Sequence, residues 1–199
     1  MRRLIAGSLA SLFIVGAAAI PAQAQTAKSS APTIAGIVAT SGGDFDGNHS
    51  DYDLLLNAVK TAGLVDALND PAAKLTVFAP NDRAFILLAR DLGFEGRDEA
   101  GAWEYLVGAL TGLGNGDPVP VLTNVLLYHV APGALGIFDV ALSNKVDTLL
   151  GASFGVKFVA LVDAEPDLKN PVVLPLASNI KASNGIVHTI SRVLLPINL

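Results

Sequence analysis

The stretch LTVFAPNDRAF, residues 75–85, carries most of the fold. Thr76, Val77 and Phe78 are β-branched or aromatic and read as a buried strand, which Pro80 ends by removing an N–H. Asn81 follows as a helix N-cap, and Ala84, Phe85 and Leu88 continue at helical spacing. A strand that turns within one residue into an amphipathic helix predicts a sheet with helices packed on it.

The pattern extends in both directions. Upstream, residues 40–53 (TSGGDFDGNHSDYD) form a Gly- and Asp-rich loop. Asp51 is placed to cap a helix over residues 52–62, with Leu55, Leu56, Val59 and Ala62 on its apolar stripe and Gly63 as its stop. Downstream, residues 98–110 read as a helix in which Trp103, Leu106, Val107 and Leu110 make an i, i+3, i+4, i+7 core face. After a loop at 113–117, Asp117-Pro118 opens a further helix with Val121, Leu122, Val125 and Leu126 inward, and Pro132-Gly133 ends the run. From residue 146 the pattern changes to strands at 146–150, 154–162, 172–176, 179–182 and 186–194. Asn184-Gly185 predicts a type I′ hairpin turn with positive φ at both positions. Helices first and strands second is the layout of an α+β fold.

Composition bounds the function. The 199 residues are 51% apolar and 16% charged, and no internal repeat is visible, so one domain with a substantial core is expected. The net charge is −5. Such an acidic chain offers nothing to a nucleic-acid backbone or an anionic membrane surface. With no cysteine, disulfides, thiolate metal sites and a cysteine nucleophile are excluded. Arg2 and Arg3, an apolar stretch over residues 4–20 and Pro21-Ala22-Gln23-Ala24 read as an export signal cleaved after Ala24. Cleavage lowers Lys+Arg from 13 to 11 against 18 acids, for a net charge of −7. Residues 25–33 read as a flexible lead-in and 34–199 as the domain. With no second hydrophobic span, the cleaved chain is expected to be soluble and unanchored, in a periplasm or outside the cell.

Three segments in fixed order resemble the signature of the fasciclin domain family. The first is residues 75–85, where Thr76, Val77, Phe78, Ala79, Pro80, Ala84 and Phe85 match a T-V-F-A-P-x-x-x-A-F motif. The second is a Tyr-His pair, Tyr128 and His129, preceded by Leu126-Leu127. The third is an N-G-x-x-H-x-I-x-x-V-L-x-P motif at Asn184, Gly185, His188, Ile190, Val193, Leu194 and Pro196. The resemblance spans about residues 34–196 and implies an α+β wedge with a β-sandwich-like core and helices on one side. It also implies adhesion or recognition of a cell-surface or matrix protein or glycan. It carries a partner-contact site onto Tyr128, His129, Val130 and Pro132. It carries no integrin-type acidic dipeptide, because the matching region reads Ser178-Asn179-Ile180. Residues 90–120 look longer than a minimal domain of this family.

Chemistry is sparse. Buried imidazoles are normally satisfied by one structural hydrogen bond, the role expected of His129 and His188. Asp44, Asp46, Asn48, Asp51 and Asp53 offer hard oxygen donors suited to calcium. The spacing is not that of an EF-hand, since Gly47 sits at the fourth position and Leu55 where the bidentate acid belongs. A solvated, capped loop is the preferred reading and calcium the alternative. No nucleophile elbow, zincin helix or P-loop occurs, so no enzyme is expected. The expected function is an exported, non-enzymatic binding module with weak homo-association. A soluble carrier of an apolar ligand, such as a carotenoid or lipid, is the alternative.

Overall fold

A computed structural model describes residues 31–197. The expected export signal (residues 1–24), residues 25–30 of the expected lead-in, and Asn198 and Leu199 lie outside the described residues. The architecture is built on β1 (Leu75–Pro80), whose residues from Thr76 onward are all buried. Two strands flank it. β2 (Val130–Pro132) runs antiparallel with Val77 opposite Val130. β7 (Gly185–Ile190) runs parallel, from Leu75 opposite Gly185 to Pro80 opposite Ile190. β6 (Ile180–Ala182) closes the far edge, giving the order β2-β1-β7-β6.

Alternation along β1 sends side chains into two cores. Val77 and Ala79, with Val187 of β7, face a large helical core. That core is supplied by α1 (Ile34–Ser41), α2 (Asp53–Thr61), α3 (Val65–Asn69), α4 (Asp82–Asp91), α5 (Glu99–Leu113) and α6 (Val119–Tyr128). Phe78 and Ile190 face a smaller core under a second, antiparallel sheet of β3 (Lys145–Asp147), β4 (Ser153–Lys157) and β5 (Ala160–Val162), flanked by α7 (Ile137–Leu142). Phe78, Phe154 and Tyr128 stack edge-on there, with centroids 5.2 and 5.8 Å apart. The fold is α+β, with helices on one face of a mixed sheet and a small sheet on the other.

Several local expectations need correction. Asp51 does not cap α2. Tyr52 occupies the cap position without a side-chain capping bond, and Asp82, at the start of α4, accepts from the Asp53 and Leu54 amides instead. The 154–162 strand is broken into β4 and β5 by a turn at Phe158, which takes φ 62°. Residues 172–176 make only isolated bridges before a 3-10 turn at Pro175–Ala177. α1, α3, α7 and β2 carry no strong periodic signal in the sequence.

Asn184-Gly185 is not a type I′ turn. Neither residue has positive φ, and the turn lies at Ser183-Asn184, with Gly185 already paired in β7. Glycine is required there for proximity: a Cβ would sit 2.0 Å from the Leu75 carbonyl oxygen. Asn184 is buried as a clamp. Its Oδ1 accepts from the Ile34 amide at 2.9 Å, and its Nδ2 donates to the Leu68 and Asp70 carbonyls.

Candidate functional site

The Tyr128–Pro132 end is formed where α6 passes into β2. Tyr128 is 1% exposed, and its hydroxyl donates to the Ser153 carbonyl at 3.2 Å. Burial, and next the nearby Asp163 charge, push its phenol up to about 12. His129 is 2% exposed and spans two segments: Nδ1 donates to the Val125 carbonyl at 2.7 Å, and Nε2 accepts the Leu194 amide at 2.9 Å. Desolvation holds its pKa down at about 4, so the ring is neutral at physiological pH. Val130 is buried, while Pro132 reaches solvent. Three of the four residues expected to meet a partner therefore have no exposed face to offer, because the apolar run they end is core on both sides. His188 uses the opposite tautomer. Its Nε2 donates to the Leu135 carbonyl at 2.9 Å, and its Nδ1 accepts the Asn179 amide. Burial lowers its pKa as well.

The acidic loop folds back onto the N-terminus of α5. Asp46, Asp51, Asp53 and Glu99 each bring a carboxylate oxygen within 4.8 Å of the others. Asp44 is outside this group, and Asn48 serves it indirectly, donating from Nδ2 to Asp51 at 2.9 Å and from its amide to Asp46. Glu99 was not legible as a partner of the loop. An acid in the first turn of a helix, just after the Asp98 cap, looks like an ordinary response to the helix dipole.

A third feature lies among α4, α5, α6 and the segment 193–197: an apolar cavity of about 280 Å³. Trp103, Leu106 and Leu110 line it together with Leu88, Leu122 and Ile197. The expected core face of α5 is thus only partly closed. Leu106 is buried, whereas Trp103, Val107 and Leu110 are half-buried. Among the described residues no helix is long and apolar enough to cross a membrane.

The fasciclin domain family model matches residues 50–196. Two proteins of Synechocystis sp. are 31% identical to the chain. Uncharacterized protein sll1735 aligns over 72% of this chain and 89% of its own length, and protein sll1483 over 86% and 78%. Pig transforming growth factor-beta-induced protein ig-h3 is 32% identical over 73% of this chain, which spans only 18% of that protein. The fold matches a structure of a FAS1 domain pair from the insect cell adhesion molecule fasciclin I. The TM-score is 0.58 at 17% identity, over 82% of this chain and 51% of the other. The three sequence motifs, the α+β arrangement of the two sheets and these matches agree: this chain belongs to the fasciclin domain family, a family of adhesion and binding modules.

Proposed function

We propose that the protein is an exported, non-enzymatic recognition module whose partner is a cell-surface or matrix protein. One observation carries the choice of surface. Phe138, Leu142, Phe158 and Leu176 are between 78% and 105% exposed, on α7, the β4–β5 turn and the 3-10 turn. Contiguous apolar patches left in water mark interaction surfaces, and Phe138 and Leu142, one turn apart on α7, are placed to form one. Exposed phenylalanine and leucine side chains suit a protein face better than a glycan, which calls for polar donors around its aromatic platform. Pro132 is the part of the Tyr128–Pro132 end that can join such a contact.

The test is attachment. Beads coated with the protein should retain cells or envelope material, and the Phe138→Ser/Leu142→Ser variant should lose that retention more than tenfold while melting normally. Equal retention by the variant removes this face, and a Pro132→Ala arm then asks whether the other end carries the contact. Competition by soluble polysaccharide would reassign the partner as a glycan. Weak homo-association belongs to the same reading, and light scattering of a strict monomer at high concentration would discard it.

The apolar cavity favours a second reading, carriage of a small apolar ligand. Its roughly 280 Å³ falls just below the ~300–1,000 Å³ of pockets that enclose drug-sized molecules. A short acyl chain fits this volume, whereas a long polyene would project from it. The visible spectrum and organic extract of the native protein check this reading, and an extract without ligand sets it aside.

A further inference from the structure

We propose that Asp46, Asp51, Asp53 and Glu99 bind one divalent cation of calcium type, a site independent of the partner-recognition reading. Two observations carry it. The first is dimension. One oxygen from each of the four carboxylates lies within 4.8 Å of the others. Opposite ligands of a calcium ion, at roughly 2.3–2.6 Å each, stand about 5 Å apart, whereas magnesium would require about 4 Å. A spread of up to 4.8 Å is compatible with calcium, with water completing the six to eight oxygens that calcium takes.

The second is the state of the buried oxygens. Asp53 and Glu99 are each 1% exposed. Asp51 Oδ1, Asp53 Oδ2 and Glu99 Oε1 are buried with no hydrogen-bond partner, and all three are carried by residues of this group. The other oxygen of each is held by a donor. Asp51 Oδ2 accepts from Asn48 Nδ2, Asp53 Oδ1 from the Gly43 amide, and Glu99 Oε2 from the Asp46 amide at 2.8 Å. Each carboxylate is thus oriented through one oxygen while its second stays unsatisfied. That division of labour is what outer-shell donors produce around a metal. Without a cation, buried carboxylates in such proximity cost several kinds of electrostatic energy at once.

The groups facing the cluster do not neutralise it. One imidazole, His49, faces the four carboxylates, with its Nε2 4.0 Å from Glu99 Oε1. Asp82 is packed beside Asp51, and its own carboxyl oxygens are taken up by the Asp53 and Leu54 amides. The loop alone supplies three of the ligands. Glu99 arrives from α5, 46 positions beyond Asp53, so the site exists only in the folded chain.

The experiment uses the purified protein stripped with chelator at pH 7.5. Calcium titrated by calorimetry should bind 1:1, with Kd at or below the ~10⁻⁴–10⁻³ M of extracellular calcium modules. At a hundredfold excess over Kd, Tm should rise by about 5–10 °C, and magnesium should do less. Glu99→Gln keeps the bond to the Asp46 amide and removes one charge. It should fold, melt at or above the wild-type temperature in chelator, and lose most of the calcium response. Should that variant fail to fold, terbium luminescence in the unmodified protein, sensitised by Tyr52 and displaced by calcium, decides instead. The proposal is overturned if about 10 mM calcium gives neither heat nor a Tm shift, if Glu99→Gln responds like wild type, or if terbium binds but calcium does not displace it.

Discussion

Asn184 shows how much one side chain can hold in this fold. It ties α1 through the Ile34 amide and α3 through the Leu68 and Asp70 carbonyls to the end of the β6–β7 turn, all within the interior. His129 does the same for α6 and the Leu194 segment, and its protonation is coupled to folding. The folded pKa of about 4 lies below the ordinary 6.5, so the unfolded chain binds the proton more readily. Stability from this group is therefore fully present above pH 6.5 and is lost as pH falls toward 4, by up to about 3 kcal/mol. Urea titrations at pH 7.5, 6 and 5 check the prediction. The wild type should lose stability across that range, and His129→Asn, which keeps a donor for Val125, should be less stable at pH 7.5 with a visibly flatter slope. A parallel slope in the two proteins would assign the pH dependence to other groups.

Among the elements, α5 has two roles that its own sequence does not announce. Its first turn delivers Glu99 to the acidic loop, and its apolar stripe walls one side of the cavity against α4 and α6. The periodicity of Trp103, Leu106, Val107 and Leu110 gave the helix correctly. Periodicity could not tell a sealed face from a half-open one, because both call for the same residues. The energetic consequence is uneven along the stripe. Leu106, 5% exposed, should cost about 2–4 kcal/mol when cut to Ala, while Leu113, 49% exposed at the cavity rim, should cost under about 1 kcal/mol. Thermal melts of Leu106→Ala and Leu113→Ala separate the two, and equal losses would mean that the cavity is closed in solution.

Taken whole, the molecule has two cores back to back across one sheet. Val77 and Ala79 belong to one core and Phe78, between them, to the other, so neither side can come apart without stripping β1. This predicts a single cooperative unfolding transition. The sole tryptophan, Trp103, reports the helical side. Its fluorescence and the far-UV dichroism should trace coincident urea curves. Phe154→Ala, which empties the smaller core, should shift both together by about 3–5 kcal/mol. Separated transitions, with tryptophan unmoved by that substitution, would show that the halves fold independently.

What the sequence determined by itself is what short-range physics encodes: the buried strand ended by Pro80, the Asn81 cap confirmed by its bond to the Ala84 amide, the apolar stripes, the α+β order and the family motifs. What only the tertiary structure decided are juxtapositions across long separations. Asp82 rather than Asp51 caps α2, Tyr128 and His129 turn inward, Asn184 and Gly185 serve close packing rather than a positive-φ turn, and Glu99 joins the loop. The reason is physical: caps and periodicity depend on neighbours within a few residues, whereas burial, close approach and the meeting of charges depend on which distant segments the two cores press together.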